Sequence, residues 1–175
     1  MENKNEWFRF TKEKALGIYI YYGILFLIAT PLAITGILND CLLISLSIIQ
    51  KSIIAGIGFS IIGSVIFYSK KIYKACVNLD FTKPEKEEDK IREFGITAYF
   101  IFRPLFAIIF SFLLIILLKL GIKVISIEGN TFNNDFILLT SFLSFFCGYS
   151  SGDILDIFDT KGKQIIGNIF NNTKI

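Results

Sequence analysis

Between Arg103 and Lys119 the chain reads PLFAIIFSFLLIILL, a run without charge in which Ser111 is the one polar side chain. A helix that is apolar on every side has to be buried in a large core or face hydrocarbon. The chain has 175 residues, of which 53% are hydrophobic and 19 are Phe, and its mean hydropathy is +0.61. Soluble domains hold roughly 45–50% apolar residues, and one this small has little interior in which to hide more. The sequence therefore calls for a bilayer.

The same alternation of long apolar run and charge cluster recurs along the chain. It predicts an all-α integral membrane protein of four transmembrane helices in two hairpins. The expected spans are 15–38, a stretch within 41–69 that stops at Lys70-Lys71, 94–120 and 136–152. The fourth is short, and its helix is expected to continue past the interface through DILDIFD. The expected organisation is an interfacial segment over 1–14, a membrane domain over 15–152 with a loop at 70–93, and a helical tail over 153–175. The opening segment reads as retained, with Trp7, Phe8 and Phe10 at headgroup level.

Seven Lys and Arg residues fall in 70–93, four before Ala15 and three after Gly152, whereas the opposite side offers Lys51, Lys119 and Lys123. The positive-inside rule then places both termini and the central loop in the cytoplasm.

Arg103 is the exception to the apolar pattern. Pro104 suits the first position of a helix, so 91–102 reads either as a separate interfacial helix or as part of one kinked span. In both geometries Arg103 sits in the cytoplasmic leaflet, where the available acids are Asp153 and Asp156. An ion pair with one of them is expected to lock the third helix to the fourth.

Small residues mark two faces: Ser52, Gly56, Ser60 and Ser64 in the second span, and Ser141, Ser144, Gly148 and Ser151 in the fourth. Helices associate in lipid through such faces, with hydroxyls bonding across. They are expected to serve packing or oligomerisation, with a hydroxyl-lined pore between copies as the alternative. Lys51 lies near mid-bilayer if the second helix starts at Cys41, and snorkels to the outer interface if the span begins at Ser52.

With no His in the chain and no CxxC among Cys41, Cys76 and Cys147, neither a metal site nor a structural disulfide is expected, and no cofactor. The segments outside the bilayer are too short for an enzyme domain. The central loop mixes seven bases with six acids, so it is not a nucleic-acid footprint. Lys83, Glu85, Lys86 and Glu87, followed by Glu88, Asp89 and Lys90, read instead as a docking surface for a cytoplasmic protein.

From Tyr99 to Phe158 the chain resembles a module of poorly characterised bacterial four-span membrane proteins: an aromatic, three residues, Arg-Pro-Leu and a span, then a last span ending in Gly-aromatic-Ser and an acid. Arg103, Pro104, Gly148, Ser150 and Asp153 occupy its recurring positions; Phe106-Ala107 and the position of the acid depart from it. In size, topology and Lys/Ile/Asn/Phe-rich composition the chain also resembles the membrane subunit of Kiwa-like antiphage defence systems. That resemblance implies a homo-oligomer, a tetramer by preference, that senses disturbance of the inner membrane and works with a separate cytoplasmic protein. The expected function is thus a sensor or anchor without enzymatic activity; an ion-permeable pore ranks second and a small transporter third.

Overall fold

The computed structural model describes residues 11–38, 46–77, 87–125, 134–157 and 160–161, apart from the side chains of 88–89 and 122–125. Helices account for nearly all of these residues: α1 (Lys12–Ile37), α2 (Ile48–Val77), α3 (Glu87–Ile125) and α4 (Asn134–Tyr149), followed by a short helical turn over Ser151–Ile157. Three of them are long and apolar enough to cross a membrane, and a fourth span is reached if α4 and its bent continuation count as one.

α2 is the central element and packs against each of the other three, while α1 and α4 hardly meet. Its inner face is made of small side chains, which allow backbones to approach closely. A Cβ on Gly36 of α1 would fall 2.5 Å from that of Ala55, and one on Gly58 would fall 2.5 Å from the backbone nitrogen of Ala33. On the opposite side of α2, a Cβ on Gly148 of α4 would collide with the carbonyl of Ser60.

α1 buries Ala15, Ile18, Tyr22, Ala29, Ala33 and Gly36, a single face at helical spacing. Its other faces carry exposed Leu16, Ile20, Leu27 and Ile28, as lipid-facing helices do. α3 likewise buries one narrow stripe and exposes Phe102, Leu105, Leu113 and Leu117. The buried stripe reads Glu93, Phe100, Arg103, Ala107, Ser111 and Ile115, so both of its charges point inward.

The start of α2 is fixed locally. Ser47 donates through its backbone N–H and its hydroxyl to Oε1 of Gln50, and the Gln50 N–H returns a bond to the Ser47 hydroxyl at 3.4 Å, a reciprocal capping box. Lys51 therefore lies in the first turn of α2, half-buried. A helix begun at Cys41 that carries it to mid-bilayer is thereby replaced by a cation close to a helix end; 39–45 lie outside the described residues.

One other expectation changes and one choice is made. The helix of the second span does not stop at Lys70-Lys71 but runs on to Val77, and of the two readings at Pro104 the continuous one forms, α3 passing without interruption from Glu87. Of the expected 70–93 loop, both flanks are thus helical. The fourth span does not continue straight either: it ends at Tyr149, and the next helical turn leaves at 71°.

Candidate functional site

Proline at 104 has no N–H to give the carbonyl four residues earlier, that of Phe100, and inside lipid such a group needs another donor. The hydroxyl of Tyr22 on α1 supplies it, donating to the Phe100 carbonyl at 2.7 Å. Tyr21 donates to the next carbonyl, that of Ile101, at 3.1 Å. Tyr22 is 1% exposed, so its bond is made out of reach of water.

Next to this repaired turn stands Arg103, 5% exposed, on the inner face of α3. Its guanidinium lies 3.9 Å from the centre of the Tyr99 ring and 5.7 Å from that of Tyr68. Its Nη1 donates to the carbonyl of Ser151 at 3.4 Å, at the bend that ends α4. That carbonyl lies just past the end of α4, in the first turn of the segment that follows, so Arg103 ties α3 to the break after α4.

The expected ion pair is not the one that forms. Asp153 and Asp156 are exposed, and neither bonds to Arg103. The 71° bend turns the segment carrying both acids toward the surface, and a backbone carbonyl takes their place at the guanidinium. Lys71, half-buried near the end of α2, interacts with both acids and with Arg103, and holds its ammonium 4.7 Å from the centre of the Phe67 ring.

A second charged cluster lies at the same end of the bundle. Glu93 of α3, 4% exposed, accepts bonds at 3.0 Å from both the backbone N–H and the hydroxyl of Thr11, the N-cap residue of α1, and pairs with Lys14 at 2.8 Å. A carboxylate from a distant helix thus holds the start of α1, where the helix dipole favours negative charge. Sequence reasoning passed over Glu93, which sits among the charges of the expected central loop and turns out to share the buried side of α3 with Arg103.

The two small-residue stripes face each other within one chain. All eight of Ser52, Gly56, Ser60, Ser64, Ser141, Ser144, Gly148 and Ser151 are buried. Three of their six hydroxyls bond back to their own helices, Ser52 to Ile48, Ser60 to Ile57 and Ser141 to Ile137, rather than across. The bond that does cross joins Ser111 of α3 to Ser144 of α4 at 2.8 Å. Both stripes are thus occupied by packing within a single copy of the chain.

Of the expected docking residues, Lys83, Glu85 and Lys86 lie outside the described residues. Glu87 and Lys90 are exposed on the first turn of α3, which runs through Glu88 and Asp89. Cys41 is also outside the described residues, and Cys76 and Cys147 are free and half-buried.

The chain matches no family model, no curated protein and no solved structure. What the fold itself defines is a class: an all-helical bundle with long apolar helices, consistent with a multi-pass membrane protein.

Proposed function

We infer that the chain is a homo-oligomeric subunit of a bacterial inner membrane, with four spans and cytoplasmic termini, that senses or anchors and recruits a cytoplasmic protein. One observation carries this reading. α3 has 39 residues, about 58 Å of helix against roughly 30 Å of hydrocarbon, and the surplus includes its N-terminal turns. There Ile91 and Phe94 are 74% and 72% exposed, between Lys90, Arg92 and Gly95, and the adjacent end of α2 exposes Tyr73 and Val77 among its lysines. Apolar side chains set among charges on a rigid helical extension suit a protein partner.

The excess of Lys and Arg at this end supports the cytoplasmic assignment. The likeness to Kiwa-like membrane subunits supports a role in antiphage defence and a tetramer. The exposed faces of α1 and α3, on which copies would meet, are apolar and suit lipid or another helix better than a water-filled channel.

The test is co-purification of the membrane protein with the product of a neighbouring gene, comparing wild type with Ile91→Asp and Phe94→Asp. The reading requires that the variants keep the wild-type oligomer size and lose the partner. Single-channel conductance from the purified protein in planar bilayers would instead favour the pore.

A further inference from the structure

The surroundings of Arg103 hold more hydrogen-bonding capacity than the protein itself uses. A guanidinium has five N–H donors, and the bond found here is the single long one from Nη1 to the Ser151 carbonyl. Among the described residues, two hydroxyls in the same niche, those of Tyr68 and Ser151, are 0% exposed and make no hydrogen bond of regular geometry, their nearest polar company being each other and the Tyr99 hydroxyl. Lys71 adds a second cation, its ammonium 5.6 Å from the centre of the Tyr68 ring. Buried polar groups are seldom left unpaired in native proteins, and an unpaired buried charge is costlier still.

We propose that this niche binds one phosphate group, received between the Arg103 guanidinium and the hydroxyls of Tyr68 and Ser151. The forked donors of arginine match phosphate oxygens, tyrosine and serine hydroxyls donate to an oxyanion, and Lys71 contributes a point charge. Asp153 and Asp156, the carboxylates of the segment that Arg103 touches, are turned out to the surface, and Glu93 is taken by Thr11 and Lys14, which leaves the guanidinium to another anion. Access lies on the side of Tyr99. That ring covers one face of the guanidinium yet is itself 39% exposed, so a rotamer change of a single partly exposed side chain opens the niche. The phosphate comes either from a phospholipid headgroup or from solution. The proposal does not depend on the role in partner recruitment.

The full-length protein in dodecyl maltoside, a detergent without phosphate, is titrated with phosphatidylglycerol or with inorganic phosphate while its thermal unfolding midpoint and its bound lipids, by native mass spectrometry, are followed. Phosphatidylglycerol is expected to raise the midpoint and leave one lipid bound. Tyr68→Phe removes a hydroxyl that makes no hydrogen bond of regular geometry among the described residues, so its unliganded midpoint stays close to wild type. Its affinity for the phosphate falls roughly tenfold, as expected for one lost bond to a charged group. A rise that depends on Tyr68 with inorganic phosphate alone assigns the site to the free ion. The proposal is overturned if neither phosphate source shifts the midpoint, or if Tyr68→Phe and Ser151→Ala both respond as wild type does.

Discussion

Tyr22 and Pro104 form a pair that the sequence does not display, because the bond between them runs from a hydroxyl on α1 to the carbonyl that the proline cannot serve on α3, across 78 positions. Tyr22→Phe should destabilise the bundle by about 1–3 kcal/mol, the cost of leaving a buried acceptor unmade. Pro104→Ala restores the missing N–H, so in its presence Tyr22→Phe should cost much less. Thermal unfolding of the two single variants and the double variant in one detergent checks this; equal costs of Tyr22→Phe in both backgrounds would rule out the repair. The position of Arg103 in the chain was legible as an anomaly, and its partner was not. Asp153 and Asp156 have the right charge and lie in the right stretch, but the direction in which that stretch leaves α4 is a property of the bend.

Helix extents were legible where apolar runs met charges, and misjudged where helix continues into charged sequence, as α2 does beyond Lys70 and α3 does before Phe94. Backbone hydrogen bonding does not end at the edge of hydrophobicity, and a straight helix can leave the bilayer. The small-residue faces were legible because Ser and Gly recur at helical spacing, but which face meets which needs the third dimension. Gly148→Leu should now abolish packing of α2 against α4 within one copy, lowering the unfolding midpoint and not merely changing oligomer size, since its Cβ already meets the Ser60 carbonyl. Gly17→Ala and Gly23→Ala, where a Cβ meets nothing within 4 Å, should be neutral or stabilise the helix by about 0.5–1 kcal/mol. A Gly148→Leu protein that melts as wild type does would show that α2 and α4 are not held together as described. Glu93→Gln should loosen the first turn of α1 without displacing the rest of that helix. Amide exchange at Thr11 to Ala15 is the measurement, and unchanged protection there would remove Glu93 as the clamp.

For the molecule as a whole, the charge balance between its two ends predicts sidedness. With native cysteines replaced, Tyr73→Cys should react with a membrane-impermeant thiol reagent only after the cytoplasmic face is opened, and Lys51→Cys should react in intact spheroplasts. The reverse pattern would invert the topology. The helical class and the long apolar helices followed from composition and from the length of the apolar runs, because they depend on sums over many residues. The sites depend on a few contacts between distant segments, and neither Tyr68 nor Glu93 stands out from its neighbours in one dimension.

The stripe on α3 that carries Glu93, Phe100 and Arg103 also bears on biogenesis. Leaving the translocon alone, α3 would present to lipid a carboxylate, a guanidinium and a carbonyl without its N–H, each of which partitions poorly into hydrocarbon. Thr11, Lys14 and Tyr22, which answer two of the three, are made before α3, whereas the Ser151 carbonyl that meets Arg103 is made after it, just past α4. α3 can therefore be half accommodated by a helix already waiting beside the insertion site, and it is released from its dependence on that machinery only when α4 has been synthesised. Integration of α3 is in that sense a cooperative act completed only from beyond α4, and a nascent chain stopped between α3 and α4 would be the form that membrane quality control encounters.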